Sequence, residues 1–257
     1  MGSLAWPGHG PILITRKTCL DICNININIK ILKVIYASSF NKQIRTFGWS
    51  LSGGMDMDNN NYPDLLVGAY DSGHAVHMRS APVVHMTASI SFDVSSKQVD
   101  LENLQCQLRD RTRVPCVQVS VALKYTGVGV PDRLDFDLEY NLDSKKENQK
   151  RMFLLQQEGQ TTMSRTISMK KDQEFRDRES RFKIYLLGSK IYDKLTSLDI
   201  QMKYSLANAG AQMVAGRSGL TPVLAHGDHL VTDSLNIQKE CGSDNLCIPN
   251  LSVKTKK

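Results

Sequence analysis

One stretch of the sequence places oxygen-bearing side chains at a spacing that suits a divalent cation. Residues 56–64, Asp-Met-Asp-Asn-Asn-Asn-Tyr-Pro-Asp, carry such side chains at the first, third, fifth and ninth positions. Calcium takes roughly six to eight oxygen ligands, and alternate residues of a tight loop can all point inward toward it. The backbone carbonyl of the seventh residue adds one more oxygen. The predicted calcium ligands are therefore Asp56, Asp58, Asn60, Tyr62 and Asp64.

An EF-hand loop and a metal-free acidic turn are two other interpretations of this acidic stretch. An EF-hand needs a glutamate at the twelfth loop position, where this chain has Val67 inside an apolar run, so that interpretation fails. A metal-free acidic turn is the second alternative, because Asp and Asn favour turns generally. The spacing of Asp56, Asp58 and Asp64 favours calcium instead. Without a cation the three carboxylates would repel one another, so we expect the empty loop to be less stable.

The sequence shows no constellation of residues typical of catalysis. Ser52-Gly53-Gly54 does not form the G-x-S-x-G nucleophile turn, and Asp71-Ser72-Gly73-His74 is typical of a tight turn. No glycine-rich phosphate loop is present. We therefore predict that the chain is not an enzyme. Asn250-Leu251-Ser252 is an N-glycosylation sequon, which predicts a glycan on Asn250 if the chain is secreted.

The elements around the acidic loop are predicted to be short strands. Phe47–Leu51 precedes the loop, Leu65–Tyr70 follows it as a buried strand, and Ala75–Met78 begins another. From Pro82 onward polar and apolar residues alternate strictly, which indicates half-buried strands. About seven or eight such strands predict an antiparallel β-sandwich, and Lys170–Arg181 is expected to be a charged loop or short helix. The apolar stripes lie in segments 84–92, 117–125, 134–142, 163–169, 182–186, 198–206 and 231–237.

Composition and charge exclude several classes of function. The 257 residues include 32 basic and 26 acidic ones, and the net charge of +6 is spread without a run of Lys or Arg, which argues against nucleic-acid binding. Arg109, Arg111 and Arg113 alternate with other residues and favour a solvated loop. No apolar stretch reaches the roughly 20 residues of a membrane helix. Met1–Thr15 lacks a basic head followed by an apolar run, so it makes a poor signal peptide.

The six cysteines fall into three pairs that are close in sequence. They lie at positions 19 and 23, 106 and 116, and 241 and 247, and none forms a C-x-x-C motif. Short spacings can indicate zinc sites or disulfides, but no pair has a second ligand pair at zinc-finger distance. Local disulfides are favoured for the last two pairs, which implies an oxidising compartment. The state of Cys19 and Cys23 stays open.

The acidic loop and its flanks resemble an FG-GAP repeat, the calcium-binding blade unit of integrin alpha propellers. The resemblance rests on Phe47-Gly48, the spaced oxygen ligands of residues 56–64, and Leu65-Leu66-Val67-Gly68-Ala69-Tyr70. Gly68-Ala69-Tyr70 stands where the family often has Gly-Ala-Pro. Such repeats also occur in some enzymes and bacterial surface proteins. In the integrin family the calcium loop lies on the lower side of the propeller, which implies a structural role.

The rest of the chain resembles the thigh and knee of an integrin alpha subunit, in family order. Tyr125–Pro131, Tyr192–Thr196 and Leu220–Leu224 are similar to thigh segments, and Cys241–Pro249 is similar to the disulfide-closed knee. The resemblance covers roughly residues 34 to 253 and implies an all-β fold. In that fold a partial propeller blade is followed by an Ig-like antiparallel β-sandwich, the thigh domain.

The resemblance also implies disulfides and a second calcium site. It pairs Cys106 with Cys116 and Cys241 with Cys247. A further thigh disulfide that the family often has near Phe182 lacks its cysteine here. In some members the knee binds calcium through groups that correspond to Cys241, Asp244 and Leu246, with a further carboxylate from the calf domain, which this sequence lacks.

The implied function is that of a fragment of an integrin alpha cell-adhesion receptor. We expect residues 1–32 to be an uncertain segment or gene-model artefact, 33–80 an FG-GAP repeat, 81–238 the thigh domain, and 239–257 the knee and the start of the calf. The partners would be a beta subunit and a matrix or cell-surface ligand bound through missing propeller blades. The location would be the extracellular side of the plasma membrane, in a single-pass receptor supporting adhesion and signalling.

Two further hypotheses stay open at the level of the sequence. One is a secreted calcium-binding β-sandwich that binds a protein partner without a beta subunit. The other is an enzyme that carries an FG-GAP repeat, against which the lack of a nucleophile or acid/base cluster argues.

Overall fold

The computed structural model describes residues 12–15, 31–175, 180–188, 191–207, 220–227 and 229–239. The chain divides into two compact units, one formed by Met1–Pro82 with Ala215–Leu220 and the other by Val83–Val214 with Thr221–Lys257. The all-β prediction is confirmed, because the described residues form strands and two single-turn 3-10 helices at Ala37–Ser39 and Tyr70–Ser72. None of these described helices is long and apolar enough to cross a membrane.

The first unit contains a three-stranded antiparallel sheet and a separate strand pair. Its strands are β1 (Ile12–Thr15), β2 (Ile31–Ile35), β3 (Phe47–Met55), β4 (Asp64–Ala69) and β5 (His74–Met78). The sheet order is β3-β4-β5, and β1 pairs with β2. Its small buried core consists of Ile35, Ile44, Phe47, Val67 and Ala69. Among the described residues of this unit, few apolar side chains are therefore buried.

The second unit is a sandwich of two sheets. One sheet has the order β12-β15-β10-β6-β17 with β14 also paired to β10, the other has the order β13-β11-β16-β18-β7, and β8 and β9 form a separate hairpin. The longer strands carry the alternating residues that the sequence predicted, with alternate side chains of β10 and β11 buried. The strands are β6 (Val83–Phe92), β7 (Gln98–Val99), β8 (Cys106–Gln107), β9 (Arg113–Val114), β10 (Cys116–Thr126), β11 (Arg133–Leu142), β12 (Met152–Leu154), β13 (Thr162–Lys170), β14 (Glu174–Phe175), β15 (Arg181–Leu186), β16 (Leu198–Leu206), β17 (Val223–Leu224) and β18 (Leu230–Ile237).

Three details of the sandwich differ from the prediction. The short strands β17 and β7 pair in parallel with β6 and β18, so the sandwich is not wholly antiparallel. The charged segment that was expected to be a loop or helix contains strand β14, which pairs with β10. All three differences involve two-residue strands. Such strands are too short to show the period-two alternation on which strand prediction rests.

A buried ion pair fixes the turn that follows β11. The Asp143 carboxylate is fully buried and accepts hydrogen bonds from the Arg151 guanidinium at 2.9 and 2.6 Å. The other guanidinium N–H groups donate to backbone carbonyls of residues 193, 196 and 197. All five donors of Arg151 are thus satisfied. Asp143 and its neighbours raise the pKa of Arg151 above its ordinary value, so the side chain is charged.

Candidate metal centre

The acidic loop connects β3 to β4 and begins where their pairing loses register. The pairing shifts between Gly53 and Met55, and Gly54 between them has a φ of +98°. Residues other than glycine rarely adopt such a φ. Within the loop Asn59 and Asn61 have φ values of 58° and 71°, a left-handed conformation that Asn tolerates better than most residues. The sequence therefore supplies the residues that a tight reversal requires.

Asp56 and Asn60 hold the loop in shape by binding its backbone. The two carboxylate oxygens of Asp56 accept hydrogen bonds from the N–H groups of Asn60 and Asn61, at 3.1 and 2.8 Å. Asn60 Oδ1 accepts the N–H of Tyr62 at 2.8 Å, and Asn60 Nδ2 donates to the carbonyl of Ser80 at 2.8 Å. The Asn60–Tyr62 bond spans two residues and forms an Asx turn, and together these bonds constrain the loop before any ligand binds.

Asp64 lies at the start of β4, where it is 3% exposed. Its Oδ1 accepts the N–H of Ser80 at 2.9 Å, and its Oδ2 accepts the N–H of Met57 at 3.1 Å and lies 2.9 Å from His77 Nε2. The Ser80 N–H and then the His77 ring hold the pKa of Asp64 below its ordinary value. The carboxylate is therefore ionised at neutral pH despite its burial.

Asp58 completes the cluster and has an oxygen that lacks a hydrogen bond. Its Oδ2 accepts a hydrogen bond from Arg79 Nε at 2.5 Å. Its Oδ1 is buried and has no hydrogen-bond partner within the described part of the chain. Asp56, Asp58 and Asp64 each offer an oxygen, and these three oxygens lie within 4.8 Å of one another. A buried carboxylate oxygen without a partner is costly, and a cation between the carboxylates would remove that cost.

The residues of the cluster fit a divalent cation in charge as well as in donor type. Three carboxylates carry −3 and the Arg79 guanidinium beside Asp58 carries +1, which leaves −2. All the candidate donors are oxygens, the ligands that a hard cation such as calcium prefers. The structure brings Asp56, Asp58 and Asp64 together, while Asn60 and Tyr62 lie in the same loop and bond to each other.

Sequence reasoning missed the residues that surround the carboxylates from β5 and the segment after it. His77, Arg79 and Ser80 contact Asp64 or Asp58 although they lie 13 to 21 positions away in sequence. The register of the sheet pairs Leu65 with Met78, so the residue after Met78 lies beside the start of β4. A hairpin assignment with that register would have found them. No shorter pattern in the sequence indicates them.

The other predicted site residues have different outcomes. Cys106 and Cys116 form a disulfide that closes the β8–β9 hairpin. The predicted pair of Cys241 and Cys247, the second calcium site of Cys241, Asp244 and Leu246, and the glycosylation site at Asn250 lie outside the described residues. Cys19 and Cys23 also lie outside them. These assignments stay predictions.

Comparison with known proteins gives two family matches and a set of relatives. Residues 80–240 match the model described as integrin alpha Ig-like domain 1, and residues 47–77 match the FG-GAP repeat. The chain is 42% identical over 215 residues to integrin alpha-PS2 of Drosophila melanogaster, and this alignment covers 82% of the chain and 15% of the relative. It is 32% identical over 226 residues to integrin alpha-V of Gallus gallus and 31% identical over 216 residues to integrin alpha-8 of Mus musculus. Each of the last two alignments covers 82% of this chain and 20% of the relative.

Proposed function

Because this chain belongs to the integrin alpha subunit family, we propose that it serves as a leg segment of a cell-adhesion receptor. The match to the FG-GAP repeat at residues 47–77 directly precedes the match to the integrin alpha Ig-like domain at residues 80–240. The boundaries in this proposal are residues 33–80 for the repeat, 81–238 for the thigh domain and 239–257 for the knee. The chain spans about 15–20% of the length of these relatives, so the receptor functions below are those of a longer protein.

The proposed setting is the extracellular side of the plasma membrane. There the longer subunit would pair with an integrin beta subunit, bind a matrix or cell-surface protein and support signalling across the membrane. The names of the relatives support this setting, and the Cys106–Cys116 disulfide is typical of an oxidising compartment. Within that receptor a sandwich with a large continuous core suits a stiff leg segment.

The cofactor of the acidic loop in this proposal is calcium, held by Asp56, Asp58, Asn60, Asp64 and the carbonyl of Tyr62. The observation that carries the proposal is Asp58 Oδ1, which is buried near two other carboxylates and has no hydrogen-bond partner among the described residues. When bound, the cation supplies positive charge and oxygen coordination. The chain's own residues do the rest, because Asp56 shapes the loop, Arg79 neutralises part of the charge, and Ser80 fixes Asp64.

A thermal-unfolding comparison in calcium and in chelator tests the cofactor. Asp58→Asn removes one charge and one ligand while keeping the size of the side chain. Asp58 binds Arg79 but, among the described residues, no backbone N–H group, so the hydrogen bonds that shape the loop stay in place. We expect calcium to raise the unfolding temperature of the wild type by more than that of the variant. The difference between the two proteins should be smaller in chelator, where loss of the Arg79 ion pair and relief of carboxylate repulsion oppose each other. Asp93→Asn, at the end of β6 in the other unit, is the matched control for charge removal. Equal shifts of the Asp58 variant in both buffers would contradict the proposal.

Asp64 is a less clean site for that test. Alanine at Asp56 or Asp64 would lower stability only in calcium if each carboxylate served the cation alone. The Asp64 carboxylate also binds Ser80, Met57 and His77. We therefore expect Asp64→Ala to lower stability in chelator as well, and we base the test on Asp58.

Co-expression with an integrin beta subunit tests the receptor part of the proposal. We expect the full-length alpha subunit that contains this chain to co-precipitate with a beta subunit and to appear at the cell surface. The alternative is a secreted calcium-binding β-sandwich that works without a beta subunit. Secretion of a stable protein that never co-precipitates with any beta subunit would favour that alternative.

A further inference from the structure

The outer face of one sheet of the sandwich carries a strip of basic side chains. Arg181 and Lys183 are exposed on β15, and their strand partners on β10 are the uncharged residues Ser120 and Gln118. The next outward position along β15 is Tyr185, which is 4% exposed because the β8–β9 hairpin covers it. The strip therefore continues from β15 onto the hairpin.

The hairpin is held rigidly against the sheet. Its buried side presents Cys106 and Val114 to Tyr185, and the disulfide closes its base. Near the tip the Glu158 carboxylate accepts the backbone N–H of Arg109 at 2.9 Å. A surface that is fixed before binding loses little conformational entropy when a ligand binds. The solvent-exposed loop between two cysteines that the sequence predicted is present, and the structure adds that short strands and the disulfide anchor it as a hairpin.

The exposed side of this hairpin is basic. Arg109, Arg111 and Arg113 lie within five residues and are all exposed, and Arg111 occupies a turn position with a φ of +71°. Arg113 stands opposite Gln107 on the outward side. The hairpin therefore presents three guanidinium groups along its outward side and tip. We define the basic strip as Arg111, Arg113, Arg181 and Lys183.

The acidic groups nearby offset only part of this charge. Asp110 lies within the hairpin, where it accepts the Thr112 N–H at 2.9 Å, and the Thr112 N–H and hydroxyl lower its pKa. Glu158 lies 3.9 Å from Arg109 Nε, so we leave Arg109 out of the strip. Glu174, on β14, pairs with Lys124 of β10 and lies beyond the strip. Among the described residues, none forms an ion pair with a member of the strip.

We propose that the basic strip binds a sulfated polysaccharide. The planar fork of an arginine matches the oxygens of a sulfate group, and several cations in a row suit an extended chain of repeating sulfates. A nucleic acid is the other polyanion with similar chemistry. It is disfavoured because the disulfide indicates an oxidising compartment and because single-strand binding uses exposed aromatic rings, whereas Tyr185 is buried.

Binding to heparin as a function of salt tests this proposal, with the full chain kept oxidised and chelator in every buffer. Chelator removes any bridging of heparin to the acidic loop by calcium. The variant Arg111→Gln with Arg113→Gln removes two cations of the strip. The matched control, Arg133→Gln with Lys203→Gln, removes the same charge from the outer face of the other sheet.

We expect the hairpin variant to bind about tenfold more weakly near 0.1 M salt, with a salt slope lower by about one per cation removed. The control should change the affinity by less than about twofold, because it lies outside the strip. Replacing the two arginines by lysine should give an intermediate loss, because lysine keeps the charge but not the fork. If the hairpin variant unfolds, Arg181→Gln with Lys183→Gln tests the same strip from β15.

Three results would overturn the proposal. The first is an equal loss in the control variant, which would mean that net charge alone drives binding. The second is equal affinity for desulfated heparin, since the sulfate groups are the proposed contacts. The third is tighter binding to single-stranded DNA of the same charge, which would make a nucleic acid the better ligand.

Discussion

The sandwich and the FG-GAP unit both bury carboxylate oxygens, but the hydrogen bonding of these oxygens differs between the two. In the sandwich, Asp143 is fully buried and both of its oxygens are bonded to Arg151. In the FG-GAP unit, three carboxylates converge, and no described residue forms a hydrogen bond with Asp58 Oδ1. A buried carboxylate that the protein satisfies itself is a structural group. One that stays unsatisfied next to other carboxylates indicates a ligand from outside.

The two regions also differ in how much apolar surface supports these charges. The sandwich has one continuous core that runs through both sheets, whereas the described part of the FG-GAP unit has a core of five buried hydrophobic residues. Burial of apolar surface is the main favourable term in folding. The FG-GAP unit should therefore depend on polar and ionic interactions for a larger share of its stability. The following predictions test this contrast.

The largest effect is expected from breaking the ion pair in the sandwich. Arg151→Met leaves the Asp143 carboxylate buried without a partner, which should lower the free energy of unfolding by about 3–5 kcal/mol. Urea unfolding followed by circular dichroism measures this loss. The loss should be the same in calcium and in chelator. The double variant Asp143→Asn with Arg151→Met should regain part of it, and a single variant as stable as the wild type would contradict the assignment.

The next effect is expected from removing the proposed calcium ion from the FG-GAP unit. At calcium concentrations about 100 times the dissociation constant, binding contributes about 2.7 kcal/mol to stability. Chelator should therefore weaken the hydrogen-exchange protection of amides in β3, β4 and β5. Amides in β10, β11 and β16 should keep theirs, because the core of the sandwich is separate. Equal loss of protection in both regions would remove the proposed contrast.

A smaller, pH-dependent effect is expected at Asp64 in chelator. Its pKa is held below the ordinary value of 3.8, so the stability it contributes is present above that value and lost as the pH falls below it. Fluorescence of Trp49, measured in a Trp6→Phe background, reports unfolding of this unit. The midpoint should fall more steeply below about pH 4 in the wild type than in Asp64→Asn. Identical profiles would mean that Asp64 is not specially stabilised.

The smallest effect is expected at Tyr125 in the sandwich core. Its hydroxyl donates to the carbonyl of Pro131 at 3.1 Å, and Tyr125→Phe should cost about 1 kcal/mol. Burial raises the pKa of Tyr125 to about 12, so wild-type stability should decline as the pH rises from 10 towards 12. Alkaline unfolding of both proteins measures this. The variant should lack that part of the decline, and parallel profiles would show that the hydroxyl is not buried.

Much of the fold could be predicted because long strands leave a strong pattern. The alternation in β10 and β11 predicted their buried and exposed faces residue by residue. The short strands β7, β14 and β17 could not be found in this way. The Asp143–Arg151 pair was also missed, since the segment from Ser144 to Arg151 reads only as a charged turn.

For the candidate metal centre, the sequence by itself determined the oxygen donors and their spacing, because Asp56, Asp58 and Asp64 belong to one short loop. Local contacts of that kind are fixed by spacing along the chain. Only the tertiary structure decided which cations and donors surround them, because His77, Arg79 and Ser80 reach the loop through strand pairing. The same holds for the basic strip, where the β8–β9 hairpin packs on Tyr185 of β15, a strand about 70 residues further along the chain. Such meetings depend on strand register and burial, which no local pattern in a single sequence encodes.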